Sequence, residues 1–147
     1  MAPGADFIDT VDMDSDDAFL DDFDAQFETA IDSAQASSAP LAGGGVMWLT
    51  PTRALTAIDL DTGAGSLPAL FDAAPAAIAQ RLRLAQIGGL VAIDVPRAQP
   101  AVMRRFTSAL AAEFAKDPRG PDILGLTRGG ILECRLPYGQ PFPPDLA

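Results

Sequence analysis

The sequence predicts an α/β fold: a small mixed sheet built around a βαβ unit, with flanking helices and a C-terminal hairpin. Three observations carry this. Two apolar runs, "ALTAIDL" (54–60) and "LVAID" (90–94), are separated by a helical stretch. Both contain the same three letters, Ala57-Ile58-Asp59 and Ala92-Ile93-Asp94. The chain then closes on "DILGLT" and "GILECRL" around Arg128-Gly129-Gly130, the pattern of two strands joined by a turn.

The elements follow in order. Residues 1–15 read as a disordered acidic arm, with few large apolar residues and many like charges. "DMDSDDAFLDDFD" begins like a calcium loop, with Asp12, Asp14 and Asp16 alternating. It fails at the sixth position, Asp17 for Gly, and at the twelfth, Phe23 for Glu. A solvated acidic helix start fits better. Phe19, Phe23, Phe27 and Ile31 then recur every fourth residue, predicting an amphipathic helix over 16–34 that docks by its Phe face. "SSAPLAGGG" ends it.

"VMWLT" (46–50) predicts a strand, antiparallel to the next one at 54–60. Asp72 is read as the cap of the following helix, with Pro75 in its first turn and Ile78 and Leu82 on one face. Gly88-Gly89 is read as its stop. Leu90 to Asp94 forms the next strand, closed by Pro96. A last helix starts at Pro100 and turns Val102, Met103, Phe106, Leu110 and Phe114 inward, ending before Pro118. The folded body spans 16–136, and 137–147 is a Pro-rich tail.

Composition narrows the chemistry. The chain has 147 residues and is 48% hydrophobic, enough for one domain with one core. No stretch is long and apolar enough to span a bilayer, and the N-terminus lacks a signal-peptide pattern. A cytoplasmic location is the expectation. There is no histidine and one cysteine, Cys134. That removes Ser-His and Cys-His catalysis, an internal disulfide and a Cys/His zinc site within one chain. Cys134 is expected to pack as a small hydrophobe. The net charge of −10 is unevenly placed: residues 1–52 hold 11 acids and no Lys or Arg, whereas 53–147 hold 9 acids and 10 bases. The acidic average therefore does not exclude nucleic-acid binding by the body.

The repeated Ala-Ile-Asp is the chief functional signal. Strand, helix, strand from 54 to 94 implies a right-handed crossover and parallel strands. If these are neighbours, Asp59 and Asp94 emerge at one carboxyl edge, about 4.8 Å apart. Carboxylates so close favour a shared proton or a divalent cation. Magnesium accepts one or two carboxylates, with water and substrate phosphate completing its shell. An Asp ending a strand also commonly just begins a turn. The repeat favours the metal for Asp59 and Asp94, and for Asp61 the two readings stay level. Glycosidase chemistry fits two close carboxylates too, but the small size and scarcity of aromatics argue against a sugar cleft.

"GGGVMWLTPTRALTAIDLDTG", "AAIAQRLRLAQIGGLVAIDV" and "LGLTRGGILE" together resemble the catalytic subdomain of the ribonuclease E/G family, over roughly 17–136. The resemblance implies a DNase I-like subdomain over 16–136. It places Asp59 and Asp94 on magnesium ligands, with manganese as a substitute, and Asp61 on a residue supporting the site by hydrogen bonding. The implied reaction is hydrolysis of single-stranded RNA to a 5′-phosphate and a 3′-hydroxyl, with magnesium orienting the phosphate, offsetting its charge and activating water. The chain starts where the family has already supplied an S1 domain and a 5′-end sensor. It stops before the Cys-Pro-x-Cys zinc link, so any oligomer is expected not to use one. "AQRLRLAQ" swaps Gln80 and Arg81 and puts Ala85 where Arg is usual, and the loop after Gly63 lacks the family's basic residues.

Six arginines could meet phosphate. For Arg83 and Arg128, phosphate contact and ordinary surface charge stand level. For Arg81, Arg104, Arg105 and Arg135 ordinary roles are favoured. Trp48 and the phenylalanines are read as core rather than as base-stacking platforms. Two functions therefore stand: a magnesium-dependent endoribonuclease, or a non-catalytic module keeping the fold and RNA or partner binding.

Overall fold

Side-chain alternation decides the architecture. In the computed structural model, which describes residues 13–139, the elements are α1 (Met13–Gln35), β1 (Ser38–Pro40), β2 (Val46–Pro51), β3 (Thr56–Asp61), α2 (Leu67–Leu84), β4 (Gly89–Asp94), α3 (Pro100–Phe114), β5 (Asp122–Leu126) and β6 (Ile131–Leu136). Along β3, Thr56, Ile58 and Leu60 are buried while Asp59 and Asp61 are exposed. Along β4, Val91 and Ile93 are buried while Asp94 is exposed. One sheet face therefore meets the core, and the other carries the acids.

The six strands form one mixed sheet in the order β1-β2-β3-β4-β6-β5. β2 and β3 are antiparallel, and β3 and β4 are parallel neighbours, as the βαβ reading requires. β5 and β6 form the expected hairpin, but β6 rather than β5 pairs with β4. Successive right-handed crossovers in one direction put α2 and α3 on the same face, where they pack against each other. Their buried Leu70, Ile78, Leu82, Phe106 and Leu110 meet Ile58, Val91, Ile93, Leu132 and Cys134. Each fully buried Leu, Ile or Phe contributes about 1.5–3 kcal/mol.

Several local boundaries differ from expectation. β1 lies within "SSAPLAGGG", expected only to end the first helix; three residues are too few for periodicity to reveal. Helix α2 begins five residues before Asp72, with Ser66 as its cap, accepting from the Ala69 amide at 3.4 Å, and Pro68 in the first turn. Pro75 thus lies in the helix interior, where it is buried. The helix also ends before Gly88. Gln86 takes the left-handed conformation, φ 52°, its amide donating to Arg83 O at 3.1 Å and that of Ile87 to Leu82 O at 3.0 Å. This is a Schellman cap with Gln where Gly is usual.

Contacts divide the chain into two compact units, one ending at Ser33 and one beginning at Ala34. In the first, α1 starts at Met13, and Phe23 and Phe27 stack on each other with centroids 6.4 Å apart. Residues 1–12 of the acidic arm and 140–147 of the tail lie outside the described residues.

Candidate functional site

The parallel pairing of β3 with β4 runs in register from Thr56↔Val91 to Asp59↔Asp94. The two aspartates are thus direct neighbours at the carboxyl ends of their strands, both exposed, on the sheet face opposite α2 and α3. Neighbouring strands lie about 4.8 Å apart. Asp61 shares that face two residues on. Its Oδ1 accepts the Gly63 amide at 2.7 Å, folding the chain into the turn that leads to α2.

The surrounding backbone is tightly fitted. The loop before β2 and the loop after β3 interlock through glycines. A Cβ on Gly63 would lie 2.5 Å from Gly44 O, and one on Gly65 would collide with Gly43 O. The "GGG" and "GAG" stretches are therefore needed for close approach, which keeps Asp61 and the strand end fixed.

Arg128 belongs to the same edge. It lies in the β5–β6 turn, three residues before Ile131, the register partner of Asp94, and it is exposed. Arg83 does not. It lies in the last turn of α2, which runs back from the acidic edge, so it stands ~24 Å along the helix from Leu67. Its charge acts instead on Asp117. Arg81, in the same turn, is buried and donates from Nη2 to Ala36 O, and burial lowers its pKa.

Two features escaped the sequence reading. Asp117, buried, and Arg119, half-buried, form a pair with Nη2–Oδ2 at 2.8 Å, and Arg119 Nη1 also donates to Ile87 O at 2.7 Å, tying the loop after α3 to the one before β4. Only the Asp-x-Arg spacing hinted at it. Trp48, expected in the core, is 48% exposed on the acidic face, and its register partner on β3 is Asp59. "VMWLT" is apolar throughout, so no alternation told which side chains point outward. On the helix side of the same edge a groove of ≈ 980 Å³ runs between Leu67, Pro68, Phe71, Arg97, Pro100 and Arg105.

The donor set suits a hard cation. Asp59 and Asp94 offer exposed carboxylate oxygens on rigid strand ends. Among the described residues no group of three or more Asp, Glu, Cys or His could hold a metal ion. Two carboxylates with water completing the shell could hold a hard cation such as magnesium, which seldom uses an all-protein cage. Cys134 is buried, its thiol pushed up to about 12 by burial and then by Asp122, and acts as a small hydrophobe. No helix among the described residues is long and apolar enough to cross a membrane.

Comparison with known proteins places this arrangement. The model of the Ribonuclease E/G family matches residues 5–135. The chain is 33% identical over 129 residues to Ribonuclease E of Nostoc sp., covering 78% of this chain and 18% of that protein. It is 31% identical over 115 residues to Ribonuclease G of Haemophilus influenzae, covering 72% and 23%. It is 32% identical over 117 residues to Ribonuclease E of Buchnera aphidicola, covering 74% and 13%. The chain thus spans less than a quarter of the length of these relatives. With the match extending over the βαβ unit, the paired aspartates and the closing hairpin, the chain belongs to the ribonuclease E/G family.

Proposed function

We propose that this chain is a metal-dependent endoribonuclease that hydrolyses phosphodiester bonds of single-stranded RNA at the Asp59–Asp94 edge. The observation that carries the reading is the register pairing of those two exposed carboxylates inside the family match. Asp59 and Asp94 would hold magnesium, or manganese in its place. When bound, the ion would supply positive charge to the scissile phosphate and lower the pKa of the attacking water.

The rest falls to the chain itself. The parallel ladder fixes the spacing of the two carboxylates, so little reorganisation is needed when a substrate arrives. Asp61 holds the turn after β3 and with it the direction of the strand end. Arg128 brings a guanidinium to the same edge, where it can pair with a neighbouring phosphate. Arg83, at the far end, would serve only a strand long enough to run the length of the sheet.

The loop after Gly63, which carries no Lys or Arg before Leu67, favours a second reading, a non-catalytic module retaining the fold and RNA or partner binding. The deciding experiment is incubation of the purified chain with a 5′-monophosphorylated single-stranded RNA, in magnesium and then in EDTA. The expected products carry 5′-phosphate and 3′-hydroxyl ends and disappear with EDTA and with Asp59→Asn. Intact RNA under excess folded protein, with either magnesium or manganese, establishes the non-catalytic reading instead.

A further inference from the structure

We propose that Trp48 is a stacking platform for one unpaired base of the RNA strand, beside the phosphate engaged at Asp59 and Asp94; this rests on the ribonuclease reading above. Trp48 is the sole tryptophan of the chain. It sits on β2, an interior strand, yet it is 48% exposed. Its flanking partners on the same face, Ser38 on β1 and Asp59 on β3, are both small, so neither strand supplies a large side chain to cover the indole.

The register sets Trp48, Asp59 and Asp94 in one row across three strands. At about 4.8 Å per strand, Trp48 is one step from the first carboxylate and about 10 Å from the second. That row offers an apolar ring at one end and a place for a cation and phosphate at the other. A nucleotide has the same two parts in the same order, a flat apolar base joined to an anion.

The adjacent carboxylates select the occupant. A protein surface or a second copy that covered Trp48 would also cover Asp59, and would have to compensate a carboxylate taken out of water. Single-stranded RNA meets the ring with a base and reaches the carboxylates through a shared cation. Stacking on an aromatic ring is tolerant of base identity, so Trp48 would position the strand without reading its sequence.

The sole tryptophan makes the test direct. Its emission is followed while a single-stranded oligoribonucleotide is added, once in EDTA and once in calcium, at low salt. Binding is measured independently by the anisotropy of a labelled strand. An abasic oligomer of equal charge is titrated in parallel. The expected result is quenching by the base-bearing strand, with affinity lowered roughly 5- to 100-fold for the abasic strand and for Trp48→Leu, and largely kept in Trp48→Phe.

The proposal is overturned if the base-bearing strand binds without changing the emission, or if no base-dependent quenching appears in either buffer. It is equally overturned if Trp48→Leu binds as tightly as the parent. A concentration-dependent dimer that Trp48→Leu dissociates would assign the residue to a protein interface and also overturns it. The two readings separate cleanly. Quenching without magnesium-dependent cleavage removes the ribonuclease and keeps the platform, whereas cleavage that Asp59→Asn abolishes, without quenching, does the reverse.

Discussion

Asp59 and Asp94 face each other as register partners on adjacent parallel strands, two exposed carboxylates with no cation of the protein's own held between them by a salt bridge among the described residues. On the proposed reading, a divalent ion would bind there. Asp59→Asn or Asp94→Asn should lower magnesium-dependent cleavage by more than about 100-fold, beyond the 10–100-fold that changes around a metal's outer shell typically cost. Magnesium at a hundred times its Kd should raise the parent melting temperature by roughly 5–10 °C and leave both variants unmoved. In EDTA the variants should melt close to the parent, because both carboxylates are exposed. Equal stabilisation of parent and variants by magnesium would remove the site.

The Asp117–Arg119 pair should carry stability far from that edge. Hydrogen bonding from the Arg119 side chain holds the Asp117 carboxyl below its usual range; burial opposes this, and the Arg119 amide and the charges of Arg119 and Arg83 add to it. A carboxyl depressed on folding stabilises the folded state above the unfolded pKa of about 3.9. That contribution is lost as pH falls through the lower folded value. Asp117→Asn should therefore cost roughly 1.5–3 kcal/mol at pH 7 and show a shallower acid decline. Denaturant melts at pH 7 and at successively lower pH would check both.

Gln86 offers a gain. A non-glycine residue in the left-handed region costs roughly 1–2 kcal/mol, and the Schellman bonds around Gln86 do not use its side chain. Gln86→Gly should raise the melting temperature by about 2–4 °C. Gln86→Val, branched at Cβ, should lower it. Calorimetry on the three proteins decides.

Cys134 should be silent until the protein unfolds. Fully covered and with its thiol pushed up to about 12, it should resist a thiol reagent at pH 8 and react at once in denaturant. The shift also sets a pH trend: its stabilisation is complete below the unfolded thiol value near 8.5 and is lost as pH rises toward the folded one. A dimer, if one forms, should survive zinc chelation and contain no zinc by elemental analysis. Rapid native labelling, or chelator-sensitive assembly, would contradict the buried position.

What could be read from the residues alone was the part that chain connectivity enforces. A helix between two short apolar runs leaves almost no choice but parallel strands, and a shared Ala-Ile-Asp then puts Asp59 beside Asp94. The facing of each strand was harder to read. β2 is apolar at Val46, Met47, Trp48 and Leu49, and only the arrival of both helices on one side makes Trp48 an outward residue. Helix ends failed where glycine and aspartate misled. Asp72 and Gly88 look like caps, but Ser66-Leu67-Pro68 already supplies a cap and a first-turn proline. Gln86 takes the left-handed place two residues before the glycine. The Asp117–Arg119 pair depends on Ile87, 32 residues away, which no local pattern encodes.

The strand order has a consequence for the birth of the protein. β6 is the last strand in the described chain, yet it lies inside the sheet, against β4. While the polypeptide emerges from a ribosome, β4 is complete at Asp94 but keeps one open edge until Leu136 has followed. At synthesis rates of about 5–20 residues per second, that interval lasts roughly 2–8 s. For those seconds Val91 and Ile93 belong to an unpaired edge, able to recruit any other exposed strand. Concentration and chaperone supply during synthesis, more than the final stability, should therefore govern how much of this protein reaches its native state.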